Sequence, residues 1–221
     1  MKKVVLINNG ELPLPNIKGG AVESLIQLLI DENENNHQLD LHVCCVVDAN
    51  AESASRKFRN TRFYYHKRKV KGLDFLYHSA NYILKRLNLP SCGDVYQNGI
   101  IDTLKAVKPY VVVLEGCPYF AERIKRKVGC KVVTRYHNLP TKRMMGWYKM
   151  NYQATDLFIG ISEYVSDCVR NHFSDIDKPV ITVYNSVDDE LLNSKTNLSR
   201  DIRKELCIPE TDFVFIYTGQ P

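Results

Sequence analysis

Short apolar, β-branched runs alternate along the chain with longer segments of helical periodicity. The predicted strands are residues 4–7, 39–47, 62–66, 110–114, 131–135, 157–161, 180–183 and 213–218. The predicted helices are residues 21–35, 73–87, 95–107, 119–128, 142–153, 163–173 and 199–206. Several strand runs lack strict apolar–polar alternation, as expected of strands that are buried on both faces. The pattern therefore predicts an α/β fold, a doubly wound parallel sheet with helices on both sides.

The polarity of the chain changes towards its end. We predict one complete domain over residues 1–187, followed by a polar linker and a helix over residues 188–211. The run DFVFIYTG, residues 212–219, is apolar and ends in glycine, as a strand entering a turn would be. We therefore interpret residues 212–221 as the first strand of a second α/β domain, in which a phosphate would bind at the following turn.

Composition and cysteine usage narrow the class of protein. The chain is 44% hydrophobic and 25% charged, with a formal net charge of +5, which is ordinary for a globular protein. No stretch approaches the ~20 apolar residues of a membrane-spanning helix, and the start MKKVVLINNG does not resemble a signal peptide. Seven scattered cysteines without a CxxC pair favour reduced, buried thiols over a disulfide framework or a zinc site. We expect a cytoplasmic protein.

Polar residues lie at the carboxyl ends of two predicted strands. Glu115 ends the run YVVVLE, and His137 with Asn138 follows the run CKVVTRY. Open α/β sheets bind ligands at this edge, where a carboxylate and an imidazole can orient or deprotonate a hydroxyl. We predict that Glu115 and His137 are catalytic and that Asn138 binds substrate. Hydrogen bonding within the loops is the alternative role for each.

Two helix starts are candidate ligand contacts. Gly19 and Gly20 precede the helix AVESLIQLLI, where glycines allow backbone amides to approach an anion closely. A plain turn is the alternative, because the spacing is not GxGxxG. Ser162 precedes the helix that follows DLFIGI. Its simplest role is that of an N-cap, although a cap at the mouth of a cleft can also contact a ligand.

Residues 56–71 form a basic segment with interleaved aromatic residues. The run RKFRNTRFYYHKRKVK holds eight Lys and Arg and no acidic residue. We predict that it docks on an anionic membrane surface, with Phe58, Phe63 and Tyr64 inserting shallowly. A solvated surface is the alternative. We expect no nucleic-acid partner, because no recognised nucleic-acid module surrounds the segment. The predicted docking residues are Arg62, Lys67, Arg68, Lys69 and Lys71.

Five segments, in order, resemble the N-terminal half of a family 4 retaining glycosyltransferase with the GT-B fold. They are PNIKGGAVESLIQLLI, YHN after a strand, DLFIGISEYVSDCVR, VITVYNSVDDELL and RKELCIPETDFVFIYTGQP. The resemblance implies a Rossmann-like N-terminal domain that binds the acceptor, which would be a glycan or a lipid-linked acceptor. A second domain would bind the nucleotide-sugar donor. It also implies a hexosyltransferase of cell-surface polysaccharide synthesis, in the cytoplasm or peripheral at the inner face of the membrane.

The same resemblance implies roles for single residues. Gly19 and Gly20 would line the donor diphosphate and sugar, His137 would lie beside the transferred sugar or the acceptor, and Ser162 would border the cleft. Glu115 matches less closely, and Gln220 stands where arginine is common. The implied reaction retains configuration without a protein nucleophile, a cofactor or a required metal. Because the donor-binding half would be missing, we expect these 221 residues alone to be inactive.

Two other functions remain open from the sequence. The first is a sugar-nucleotide 2-epimerase of the same fold, whose acid and base residues would lie at other positions. The second is a non-enzymatic binding module or one subunit of a split transferase. The complete open reading frame separates these hypotheses, because a second α/β domain beyond residue 221 favours the transferase.

Overall fold

The computed structural model describes residues 1–140, 147–175, 177–187 and 202–215, with the backbone alone described at residues 147 and 202. By internal contacts, the chain divides into two units, Met1–Ser186 and Val187–Pro221. The first unit holds the sheet and the candidate site. The predicted linker at 188–198 lies outside the described residues, as do Gly219 and Gln220. The division into domains therefore stays a prediction.

The first unit is built on one parallel sheet in the order β3-β2-β1-β4-β5-β6-β7. Every pair of neighbouring strands is parallel, which confirms the predicted α/β class and the Rossmann-like, doubly wound arrangement. The described strands are β1 Lys3–Ile7, β2 Asp40–Val46, β3 Thr61–His66, β4 Val111–Glu115, β5 Lys131–Tyr136, β6 Leu157–Gly160 and β7 Val180–Thr182. Parallel neighbours require crossover connections, and helices supply most of them.

The described helices of the first unit cover both faces of this sheet. They are α1 Ala21–Asn36, α2 Ala49–Ser55, α3 Leu73–Arg86, α4 Val95–Val107, α5 Ala121–Val128, α6 Trp147–Ala154 and α7 Glu163–His172. The second unit contains α8 Ile202–Glu205. Strand β1 shows the two-sided burial. Val5 and Ile7 join a core with α4 and α5, whereas Leu6 joins a second core with Ile26 and Ile30 of α1. Because successive strand residues point to opposite faces, the apolar residues 4–7 contribute side chains to both cores.

Apart from one-residue shifts at element ends, the described residues differ from the sequence-based prediction in three places. Helix α2 was not predicted. It is short, and it begins where the Asp48 carboxylate accepts hydrogen bonds from the amides of Asn50 and Ala51. The predicted helix 119–128 begins instead with a 3-10 turn, Pro118–Phe120, that precedes α5. Residues 213–215 have no strand assignment, and the remainder of that predicted strand lies outside the described residues.

Candidate active site

The strand order changes direction at β1, which has β2 on one side and β4 on the other. In open α/β sheets, the crevice outside the carboxyl ends at such a switch point is the usual ligand site. Asn8 follows β1, Glu115 ends β4, and His137 follows β5. The Gly19–Gly20 turn leads from β1 into α1. The predicted site residues on these strands therefore lie at the same edge of the sheet.

Glu115 and His137 form a buried pair at this edge. Their Oε2 and Nε2 atoms are 2.6 Å apart, and the side chains are only 1% and 7% exposed, respectively. Register brings them together, because Glu115 lies opposite Arg135 in the β4–β5 ladder and His137 follows two residues later. Gly116, which directly follows β4, has φ +68°, and its amide donates a hydrogen bond to the carbonyl of Arg135. This left-handed turn suits glycine and returns the chain towards His137.

The hydrogen bond selects a tautomer for His137. An ionised carboxylate only accepts hydrogen bonds, so the proton of a neutral ring lies on Nε2. The second nitrogen, Nδ1, then carries a lone pair that can accept a hydrogen bond from a hydroxyl. A carboxylate that orients an imidazole in this way is the usual support of a histidine base. Glu115 therefore fixes the orientation of the His137 ring.

A cavity of about 360 Å³ opens beside the pair. Four tyrosines, Tyr119, Tyr136, Tyr148 and Tyr152, line it together with His137. Asn138, Leu139, Pro140, Gly116 and Pro118 complete the lining. Glu115 is not among the lining residues in the described part of the chain. An aromatic wall with a few polar groups is typical of pockets that bind small organic ligands.

The tyrosine wall is anchored in an aromatic core. The rings of Tyr152 and Phe173 have centroids 4.1 Å apart, and Phe158 stacks on Phe173 at 5.3 Å. Burial raises the pKa of Tyr152 to about 12 and raises that of Tyr136 further, so both phenols are neutral at physiological pH. Neutral phenols at the cavity both donate and accept hydrogen bonds. The sequence analysis missed this wall, although three of its tyrosines lie within residues 136–152.

The Gly19–Gly20 turn is shaped by a buried network behind it. The Asn8 side-chain amide donates to Glu23 Oε1 at 3.2 Å, and its oxygen accepts from the hydroxyl of Tyr96. Gly20 has φ +104°, and a Cβ there would lie 2.3 Å from Glu23 Oε2 and 2.7 Å from Leu12. The positive φ favours glycine, and a Cβ would also require Glu23 and Leu12 to shift, which together give a structural explanation for the glycine. It also caps α1 without a side-chain hydrogen bond.

The other predicted contacts have different surroundings. Gly19 has φ +80°, and no described atom lies within 4 Å of its Cβ position. Ser162 caps α7, since its hydroxyl accepts a hydrogen bond from the amide of Val165 at 3.2 Å. Asn138 is exposed and lines the cavity. Within the described ranges, neither glycine nor Ser162 contributes to the cavity lining.

The basic segment 56–71 is divided by the structure. Arg62 lies near the amino end of β3, whereas Lys67 follows its carboxyl end, so most of the strand separates them. The aromatic side chains predicted to insert into the membrane are partly buried. Phe58 and Phe63 pack against the α1 core and Tyr64 against the opposite one, because alternate residues of β3 face the two sides of the sheet. Each ring is therefore only partly exposed, and its insertion into a membrane stays a prediction.

No family model matches the chain, and no curated protein matches it in sequence. Its similarity to known proteins is structural. The HepE protein of Anabaena in complex with UDP and glucose aligns with a TM-score of 0.58 and 11% identity, over 93% of this chain and 50% of that one. A glycosyltransferase from Rickettsia africae aligns with a TM-score of 0.58 and 11% identity, over 95% and 51% of the two chains.

The UDP-N-acetylglucosamine 2-epimerase from Rickettsia bellii aligns with a TM-score of 0.53 and 12% identity, over 95% of this chain and 52% of that one. The chain thus spans about half the length of the structures that it matches. Identities this low establish the fold alone. The fold is a Rossmann-like domain of the kind found in GT-B glycosyltransferases and epimerases.

Proposed function

We propose that this chain is the acceptor-binding half of a glycosyltransferase that uses a nucleotide-sugar donor. The observation that carries the proposal is the buried Glu115–His137 pair beside a tyrosine-lined cavity. The pair offers one oriented nitrogen to a hydroxyl, and the cavity offers flat apolar faces to a sugar ring. HepE, which aligns over half its length, is recorded with UDP and glucose. That similarity supports the choice of donor class.

In the proposed reaction, His137 Nδ1 accepts a hydrogen bond from the acceptor hydroxyl. That contact holds the oxygen at the anomeric carbon of the donor, and orientation of this kind can supply a large part of a rate enhancement. The bond from the acceptor oxygen to the anomeric carbon forms as the bond from that carbon to the diphosphate oxygen breaks, and the hydroxyl proton passes to His137 Nδ1. Glu115 is a positioning residue, because it contacts His137 and does not line the cavity.

We assign substrate-binding roles to four further residues. Asn138, exposed at the cavity, would hydrogen-bond a sugar hydroxyl. The Gly19–Gly20 turn would face the donor diphosphate, since the first amides of α1 lack a side-chain cap and a helix amino terminus favours an anion. Ser162 would border the same cleft with the hydroxyl proton that its capping role leaves free. We further propose that the reaction retains the configuration of the anomeric carbon and transfers a hexosyl group. Its product would be a polysaccharide.

The decisive experiment is a donor panel with the complete protein. We expect release of a nucleoside diphosphate from one nucleotide-sugar, dependent on a glycan or lipid-linked acceptor. We also expect isothermal titration of the 221-residue chain alone to show no sub-micromolar binding of nucleoside diphosphates. Tight binding to the chain alone would contradict the assignment of the donor to a second domain. The absence of acceptor-dependent release across the panel would contradict the transferase.

The similarity to an epimerase supports a second candidate function. A 2-epimerase would convert UDP-N-acetylglucosamine with no acceptor present, and it would exchange the proton at the epimerised carbon with solvent deuterium. A transferase requires the acceptor and leaves that proton in place. Incubation of the complete protein with the nucleotide-sugar in D₂O, followed by NMR, therefore separates the two functions.

A further inference from the structure

Helix α3, Leu73–Arg86, presents an apolar face to solvent. The structure describes the whole helix, and none of its residues is buried. The side chains of Phe75 and Leu76 are 73% and 61% exposed, and those of Tyr82 and Ile83 are 55% and 58% exposed. Leu87, directly after the helix, is 62% exposed. A cluster of large apolar side chains at this exposure usually marks an interaction surface.

These residues lie on one side of the helix. Phe75 and Tyr82 are seven positions apart, as are Leu76 and Ile83, and residues at this spacing share a face. The opposite side is attached to the body of the unit. The Asn81 side-chain amide donates to the carbonyl of Gly93 at 2.7 Å, and its oxygen accepts from the amide of Cys92 at 3.0 Å. The apolar face is therefore held outwards.

Basic residues flank the helix on both sides in the sequence. Lys67, Arg68, Lys69 and Lys71 precede the helix, and Lys85 and Arg86 end it. Residues 67–89 carry these six of the 30 cationic residues but only Asp74 of the 25 acidic ones, which leaves 24 of each elsewhere. The formal net charge of +5 is thus concentrated in this segment. Lys67, Lys69 and Lys71 form no ion pair with any described residue, and Arg68 has one long contact, 3.8 Å, with Glu11.

The segment begins at the edge of the sheet that carries the candidate site. Lys67 follows His66, the last residue of β3, and the carboxyl ends of parallel strands lie at one edge. Arg56, Lys57, Arg59 and Arg62 belong to the other end of β3. Of the predicted docking residues, the basic side chains at 67–71 therefore adjoin the apolar face, whereas Arg62 does not.

We propose that the α3 surface, which comprises the basic residues of 67–71, the outward face of α3 and Leu87, docks on an anionic lipid bilayer. An amphipathic helix with apolar and aromatic residues on one face and Lys and Arg beside it is typical of helices that lie in the membrane interface. The cations attract anionic headgroups, and the apolar side chains enter the headgroup–acyl boundary. Within the described residues, no helix is long and apolar enough to cross a membrane. The proposal does not depend on the proposed transferase activity.

The charge contribution can be tested with two matched triple variants. Lys67→Ser, Lys69→Ser and Lys71→Ser remove three exposed cations from the α3 surface. Arg56→Ser, Lys57→Ser and Arg59→Ser remove three exposed cations from the other end of β3. Co-sedimentation uses phosphatidylcholine vesicles with and without phosphatidylserine. We expect about a hundredfold weaker partitioning for the first variant and little change for the second. Salt should weaken wild-type binding, because the Debye length falls from ~10 Å at 0.1 M to ~3 Å at 1 M.

The apolar contribution has its own matched pair. Phe75→Ser with Leu76→Ser removes the centre of the exposed face, and Leu29→Ser with Tyr164→Ser removes exposed apolar side chains on α1 and α7. We expect about tenfold weaker partitioning from the first pair alone. Hydrogen exchange of the wild-type chain gives a measurement without substitutions. Vesicles should protect the amides of 73–87 and leave those of α7 unchanged.

Several outcomes would overturn the proposal. Equal partitioning of the two charge variants would place the binding outside the α3 surface. Absence of binding to phosphatidylserine vesicles, with unchanged exchange in α3, would show that lipid is not the occupant. A dimer in sedimentation that dissociates on Phe75→Ser with Leu76→Ser would assign the face to a second copy of the chain. Each of these results is independent of sugar transfer.

Discussion

The cavity wall and the α3 surface begin at the same edge of the sheet, but they differ in how much of their apolar side chains is exposed. At the wall, tyrosines and phenylalanines pack in a closed core, with Phe158 only 1% exposed. On α3, Phe75 is 73% exposed, and the helix is held by the hydrogen bonds of Asn81. The side chains of the wall are closely packed, as a site that orients reactants requires. The helix has the accessible apolar area that a docking surface requires.

The largest expected effect concerns the two histidines of these regions. His137→Ala in the complete protein should lower kcat by about 100- to 10,000-fold, since it removes the group proposed to orient the acceptor hydroxyl. Donor affinity should change little. His78→Ala, on exposed α3, should leave turnover unchanged. Steady-state kinetics with thermal melts measures both. Normal turnover of a folded His137→Ala protein would leave His137 as a structural loop residue and remove the support for the proposed mechanism.

Replacement of one phenylalanine by alanine in each region measures how closely the cavity wall and the α3 surface are packed. Phe158→Ala should lower the free energy of unfolding by about 3–5 kcal/mol, because it leaves a cavity among Tyr152, Phe173 and Tyr136. Phe75→Ala should change it by less than about 0.5 kcal/mol. Urea unfolding followed by circular dichroism provides the measurement. A large loss from Phe75→Ala would mean that the α3 face is covered in solution.

Gly20, before α1, and Gly72, before α3, compare the packing around two helix starts. Gly20 and Gly72 both precede a helix with positive φ, +104° and +88°, but only Gly20 has described atoms crowding its Cβ position. Gly72→Ala should cost about 1 kcal/mol of backbone strain, whereas Gly20→Ala should cost about 2–3 kcal/mol because Leu12 and buried Glu23 must also move. Urea midpoints of the two variants give the difference. Equal costs would show that the Gly20 turn relaxes freely.

The smallest expected effect is a difference in pH dependence. Burial lowers the pKa of His66 from its ordinary value of 6.5, although the charge of Asp102 opposes the shift. The unfolded chain therefore binds more protons as the pH falls through about 6.5, and folding stability falls with it. His66→Gln should weaken the loss of stability between pH 7 and 5, and His78→Gln should preserve it.

Urea midpoints at the two pH values measure this difference. Some pH dependence should persist in the His66 variant, because burial also lowers the pKa of His42, against the opposing charge of Asp40. An identical pH dependence in the His66 variant and the wild-type chain would contradict the burial argument.

Elements with a strong local pattern were predicted closely. The helix predicted at 95–107 has those bounds in the structure, where Asp94 caps it by accepting from the amide of Gln97. Strand β1 differs from its prediction by one residue. Helix α2 was missed because ANAESAS carries no apolar period, and only the Asp48 cap marks its start. Caps and periodicity act over a few residues, so sequence alone exposes them only where both are clear.

The candidate site was predicted in part. Glu115 and His137 were expected at one edge because both end strands, and the structure adds the hydrogen bond between them. The tyrosine wall was missed, since nothing local distinguishes Tyr136 or Tyr152 from core residues. The basic segment was seen as a run of cations, but the partial burial of its Phe58 and Phe63 was missed, because that burial depends on packing against α1.

The sequence by itself determined the α/β class, most element positions and the placement of polar residues after strands, because these follow from periodicity and local backbone preference. Only the tertiary structure decided which of those residues meet. The β4–β5 register brings His137 onto Glu115, 22 positions away. The six-residue strand β3 divides one run of cations between two ends of the sheet, and the attachment of α3 through Asn81 leaves its apolar face outward. These outcomes depend on strand pairing and packing between distant segments, which no local pattern encodes.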